Sequence, residues 1–167
     1  MTETLEPVLP DEVDRAARAV LERACAKDLT LATAESCTGG LLASLLTDVD
    51  GAAHAFERGF VVYTNAAKSQ LLGIPEHNID RFGAVSAEIA RAMAEGALRA
   101  SEADIAISTT GFAGAGGPDD ECGLVFFACA RNGKGTHIRE EHFGELKRGP
   151  IRIECLRVAL EMLGQQL

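Results

Sequence analysis

From residue 29 to residue 109 the chain alternates short β-rich runs with helical runs, and no other feature narrows its fold as much. Leu29–Ala34 reads as a strand, and Leu41–Leu46, just after Gly39-Gly40, as an apolar helix. Gly59–Thr64 (GFVVYT) is a second β-rich run. Asn65 can cap a helix that begins at Ala66 and stops at Gly73-Ile74-Pro75. Ser86 can cap a longer helix to about Ala100, with Glu88 in its first turn, where a negative charge suits the helix dipole. Ile105–Thr109 is a third strand. Ahead of this alternation, Val13, Ala16, Ala17, Val20, Leu21 and Ala24 recur at helical spacing after Pro10. Beyond it, Leu124–Ala130 and His137–Phe143 flank Asn132-Gly133-Lys134-Gly135, a hairpin signal. Residues 151–163 close the chain as a helix with Leu156, Ala159, Leu160 and Leu163 on one face. Alternation followed by a hairpin argues for an α/β sandwich around a mixed sheet.

A chain of 167 residues suits one domain, placed at residues 11–167 behind a loose arm at 1–10. The net charge of -9 argues against a broad nucleic-acid surface, which needs clustered Lys and Arg. It leaves room for a small anionic ligand, because one loop can hold a phosphate with backbone N–H groups. The five cysteines include no CxxC, so neither a disulfide framework nor a zinc site is expected. No metal-ligand cluster stands out, and no cofactor is expected. The N-terminal stretch carries acids and prolines and no signal or membrane segment is visible, which predicts a cytoplasmic protein without a membrane partner.

Three strands end in polar residues that can carry chemistry. The first runs into AESCTGG, where Ser36 and Cys37 are rival nucleophiles and Thr38, Gly39 and Gly40 precede a helix. Glycines allow close backbone approach, and a helix start offers free N–H groups for a phosphate or an oxyanion. The plainer reading makes Thr38 a cap and the glycines a turn. The second runs into Tyr63, Asn65 and Lys68, with Lys68 in a first helical turn that disfavours its charge, so it is the better base candidate. A solvated surface lysine is the plainer alternative. Tyr63 can relay a proton, stack on a ring or simply pack. The four histidines lie in segments without an accompanying motif. Cys37 lacks a histidine partner, which ranks it below Ser36. The third strand leads into the run Thr110, Gly111, Gly114, Gly116, Gly117, neither a P-loop nor GxGxxG, but suited to cradling a polar group.

Taken together, AESCTGG, VVYTNAAKSQLLG, GAVS, TTGFAGAGG, CGLVFFA and Arg148-Gly149-Pro150-Ile151-Arg152 resemble the C-terminal domain of the CinA (competence/damage-inducible) family, from about Leu31 to the end. The glycine-rich run carries Ala115 where the family usually has proline. The resemblance implies a three-layer α/β/α fold and hydrolysis of the carboxamide of nicotinamide mononucleotide to nicotinate mononucleotide and ammonia. It places the nucleophile at Ser36, catalytic partners at Tyr63, Lys68 and Thr110, and a phosphate contact at Arg148. A homodimer is the default assembly. The alternatives are a non-catalytic nucleotide-binding module and an interaction protein linked to competence or DNA damage.

Overall fold

The computed structural model describes residues 9–167, so the expected arm at 1–10 lies almost wholly outside the described residues. Helix α1 (Asp11–Ala26) leads to β1 (Leu31–Glu35) and α2 (Leu41–Thr47). A short 3-10 turn at Ala53–Ala55 precedes β2 (Phe56–Val61), α3 (Asn65–Leu72), α4 (Glu76–Phe82) and α5 (Ala87–Arg99). Strands β3 (Ile105–Gly111), β4 (Leu124–Arg131) and β5 (His137–His142) follow, and α6 (Arg148–Gln166) ends the chain. The sheet order is β2-β1-β3-β4-β5. β1 runs parallel to both its neighbours, β2 and β3, while β4 and β5 add as antiparallel strands. This is the expected three-layer sandwich with a mixed sheet.

Side chains alternate across the sheet, and each face has its own core. Leu31, Ile105, Ile107, Val125 and Phe127 pack with Leu21 of α1, Leu42 and Leu46 of α2 and Leu156 and Leu163 of α6. On the other face Ala32, Ala34 and Ala106 meet Leu72, Ile79, Ile89 and Met93 of α3, α4 and α5. Alanine on this second face lets α5 sit close to the sheet, and Gly96 lets α3 sit close to α5. A methyl group on Gly96 would overlap the Leu72 carbonyl oxygen and come within 2.9 Å of Leu72 Cβ. Alanine favours a helix over glycine by ~1 kcal/mol. Backbone overlap in a packed core costs ~1–3 kcal/mol. Gly96→Ala is therefore expected to lower stability by up to about 2 kcal/mol, read as a lower unfolding midpoint in urea.

Several boundaries differ from the sequence reading, β1 starting two residues later than Leu29 and β3 running two residues past Thr109 among them. Strand β2 lies a few residues earlier than GFVVYT, because its partner β1 ends at Glu35 opposite Val61. Beyond Val61 only one further bond to β1 forms, from Val62 N–H to Glu35 O at 2.8 Å. Helix α3 begins at Asn65, not Ala66, and its cap is Thr64, whose hydroxyl accepts from Ala67 N–H at 3.1 Å. Thr64 has the extended backbone a cap requires, while Asn65 is already helical. Helix α6 starts at Arg148 and takes Pro150 into its first turn, where a missing N–H costs no helical bond. Helix α4 was not anticipated. It is one short stretch between Pro75 and Gly83.

Candidate active site

The three parallel strands end on the same side of the sheet, and the loops that follow them enclose a cavity of about 290 Å³. Ligands in open α/β sheets bind in this position, outside the carboxyl ends of the strands. The cavity brings together Ser36, Tyr63, Lys68, Thr110, Gly111, Gly114, Gly116 and Arg148. Cys37, Ala84, Val85, Phe112, Ala113 and Ala115 complete its wall.

Ser36 follows the last residue of β1 and is fixed to the sheet by its N–H, which donates to Thr109 O at 3.0 Å. Lys68 sits on the first turns of α3 and is only 1% exposed. Its Nζ lies 3.0 Å from Ser36 Oγ, 2.9 Å from Val62 O and 3.2 Å from Tyr63 O. Among the described residues no ion pair involves Lys68. Burial without a carboxylate partner pushes its pKa below the ordinary lysine range, against a smaller opposing pull from Cys37. A neutral amine has two N–H bonds and one lone pair. The charged ammonium donates to Ser36 Oγ and to both carbonyls; on losing one proton it would keep its two N–H bonds for the carbonyls and turn the lone pair to the serine hydroxyl.

Thr110 is buried and donates its hydroxyl proton to Ala84 O at 2.7 Å. That bond ties the 83–86 loop to the end of β3 and leaves the Thr110 oxygen free only to accept. Tyr63 is 66% exposed, so its ring borders the cavity mouth while its carbonyl serves Lys68. Lys68 reaches Ser36 directly, and no relay through the Tyr63 phenol is needed. Arg148 is exposed at the start of α6, and its guanidinium lies against Gly114, where a Cβ would sit 3.1 Å from Nη2. The glycine-rich loop and an arginine thus meet at one edge of the cavity.

Five anticipated contacts are not in the wall. Gly39 and Gly40 have φ of 63° and 94°, so they make the left-handed turn. Their N–H groups are already used, on Ser36 O at 3.2 Å and Glu35 Oε2 at 3.1 Å, and neither is free for an oxyanion. Thr38 is buried, with its hydroxyl 2.8 Å from that of Thr109. Asn65 lies in a separate surface depression beside Glu76 and Asp80, because α3 turns its first residue outward. The Gly117 N–H donates to the Asp120 carboxylate at 2.6 Å.

Cys37 points its thiol toward Cys155 on α6, and their shared hydrogen bond lowers the first thiol and raises the second. The base candidate bonds Ser36, not Cys37. None of the four histidines lines the cavity; His142 instead pairs with Glu121 and Glu140 on the surface. Among the described residues no cluster could hold a metal ion.

Two residues of the site neighbourhood escaped the sequence reading. Glu35 is fully buried, and its carboxylate accepts from the N–H groups of Gly40, Leu42 and Ala43. A carboxylate at the end of a fully buried strand, Leu31-Ala32-Thr33-Ala34-Glu35, was the available signal. Arg152 donates from Nε to Cys37 O at 3.0 Å and braces the same loop from α6. Nothing local in the sequence marks that contact.

Known proteins share this arrangement of chain. The chain is 44% identical over 144 residues to the nicotinamide-nucleotide amidohydrolase PncC of Escherichia coli (strain K12), covering 84% of this chain and 86% of that protein. It is 49% identical over 121 residues to a CinA-like protein of Akkermansia muciniphila, covering 71% of this chain and 29% of the relative. The chain thus spans under a third of that longer relative. The crystal structure of the competence/damage inducible protein CihA from Agrobacterium tumefaciens superposes with a TM-score of 0.91 at 39% identity, over 98% of both chains. The family model of the CinA C-terminal domain matches residues 13–167, and the chain belongs to that family.

Proposed function

We propose that this chain is an amidohydrolase that converts nicotinamide mononucleotide to nicotinate mononucleotide and ammonia, with Ser36 as nucleophile and Lys68 as base. The observation that carries the reading is the buried Lys68 Nζ, 3.0 Å from Ser36 Oγ, with two carbonyls occupying its other hydrogen-bonding positions. The 44% identity to a protein named for this reaction supports the choice of substrate.

In this mechanism Lys68 takes the Ser36 proton as Oγ attacks the carboxamide carbon. The tetrahedral oxyanion needs N–H donors. On the Ser36 loop the N–H groups of Cys37 and Thr38 have no intramolecular partner among the described residues, unlike those of Gly39 and Gly40. Collapse breaks the C–N bond, Lys68 returns its proton to the leaving nitrogen, and ammonia departs. An ester on Ser36 remains. Lys68 then deprotonates a water that attacks the ester, and the acid leaves as Ser36 regains its proton. The Thr110 oxygen can accept from the carboxamide NH₂, the Tyr63 ring can cover the pyridinium, and Arg148 with the Gly114 loop can hold the phosphate.

Among the described residues no helix is long and apolar enough to cross a membrane. The proposal extends to a homodimer in the cytoplasm, acting on a small nucleotide and not on nucleic acid.

The test is ammonia release from nicotinamide mononucleotide, its riboside and free nicotinamide. The mononucleotide should be preferred over the riboside. Charge-assisted bonds contribute ~1.5–3 kcal/mol, so Arg148→Ala should raise KM for the mononucleotide about 10- to 100-fold. The same change should leave the riboside almost unaffected. Tight binding of the mononucleotide by calorimetry without ammonia release would reduce the site to a nucleotide-binding module.

A further inference from the structure

We infer that Glu35 is a positioning residue for the Ser36–Lys68 pair. The inference rests on the reading of those two residues as nucleophile and base. Glu35 ends β1 and is completely shielded from solvent. A buried carboxylate is costly unless its oxygens are saturated with donors. Here Oε2 accepts from Gly40 and Leu42 N–H, each at 3.1 Å, and Oε1 accepts from Ala43 N–H at 2.7 Å. These are the unpaired N–H groups at the start of α2. The side chain therefore reaches past the Ser36–Thr38 loop and pins the far end of that loop to the strand it left.

The backbone of the same residue reaches the base. Glu35 O accepts from Val62 N–H at 2.8 Å, and Val62 O accepts from Lys68 Nζ at 2.9 Å. One residue thus holds the nucleophile's loop by its side chain and the base's anchor by its carbonyl. A carboxylate suits this task because all three partners are donors. An amide is a poor substitute. In either orientation its NH₂ group faces at least one backbone N–H and pushes the loop away.

A misplacement of about 1 Å in a reacting group can cost roughly a hundredfold in rate. The experiment compares wild type, Glu35→Gln and Glu35→Asp by the rate of covalent labelling with a fluorophosphonate. This reagent forms an O–P bond at an activated serine and expels fluoride, so it reports on Ser36 whatever the natural substrate is. Labelling across pH, kcat and KM for nicotinamide mononucleotide, and thermal unfolding complete the measurement. Glu35→Gln is expected to label about 100-fold more slowly, with an unchanged pH midpoint, KM within about threefold and cooperative unfolding. Glu35→Asp keeps charge and acceptors on a shorter arm and should recover about tenfold of that loss. Labelling of Glu35→Gln within threefold of wild type overturns the role. Failure of both variants to fold assigns Glu35 to stability alone and also overturns it. A wild type that labels but releases no ammonia removes the substrate assignment while leaving Glu35 tested. A wild type inert to both removes the serine–lysine pair and Glu35 with it.

Discussion

Ser36→Ala should release ammonia from nicotinamide mononucleotide at least ~10⁴-fold more slowly than wild type while still binding the nucleotide. Loss of a nucleophile removes the covalent route and leaves only positioning and oxyanion contacts, which contribute far less. The substitution takes away one oxygen at a site that is 8% exposed and leaves the Ser36 N–H bond to Thr109 in place. The change in unfolding midpoint should therefore be small. Cys37→Ala is the matching control. Its thiol faces Cys155, so this variant should keep most of the activity. A Ser36→Ala enzyme with more than about a tenth of wild-type turnover would sink the proposed nucleophile, and collapse of Cys37→Ala would transfer the role to the neighbouring thiol.

Lys68→Met should lower kcat by about 10²- to 10⁴-fold, the usual contribution of a general base at a reacting hydroxyl. The sharper comparison is Lys68→Arg. Arginine keeps the positive charge and several donors but does not give up its proton in this pH range. If Lys68 works as a base, arginine should be nearly as inactive as methionine. If the ammonium merely supplied a field, arginine should rescue much of the rate. The pH profile gives an independent sign. Burial disfavours the charged amine, so the proton leaves at lower pH than from an exposed lysine. Activity should fall as pH drops through that lowered value and level off above it, with a midpoint under the ordinary ~10.4. A midpoint at or above the ordinary value, or an unchanged profile in Lys68→Met, would exclude Lys68 as the base.

Most of the fold could be read from periodicity because it depends on local pattern. The three parallel strands, the hairpin around Gly133 and the long helices each carry their own signal. The misses came where a distant partner decided the outcome. GFVVYT has the composition of a strand over its whole length, yet β1 turns away at Ser36 and leaves Val62 and Tyr63 without a ladder. Thr64 and Asn65 are both good caps, and only the backbone conformation chooses between them. The cavity residues Ser36, Lys68 and Thr110 could be picked out because each lies at or beyond the carboxyl end of a strand. The engaged N–H groups of Gly39 and Gly40 could not be foreseen. Gly39 bonds back to Ser36 O within the turn, and Glu35, the partner of Gly40, stands in plain view beside Ser36, but its burial depends on α2 and β2 packing around it. Arg152 bracing Cys37 joins residues 115 positions apart, and no local pattern encodes such a contact.

The place of β1 between β2 and β3 also governs when the cavity can first form on a nascent chain. Its partner β2 emerges soon after it, but its other partner, β3, pairs Leu31 with Ile105 and is synthesised much later. Pairings between segments so far apart are slow to form, since the intervening chain must first give up its freedom. The Ser36 N–H finds Thr109 only in that second pairing, and Thr110, which closes the cavity, arrives with the same strand. Helix α6, with Arg148 and Arg152, follows last. A nascent chain that has emerged only as far as α3 therefore carries Ser36 and Lys68 without the walls of the cavity, which await β3 and α6.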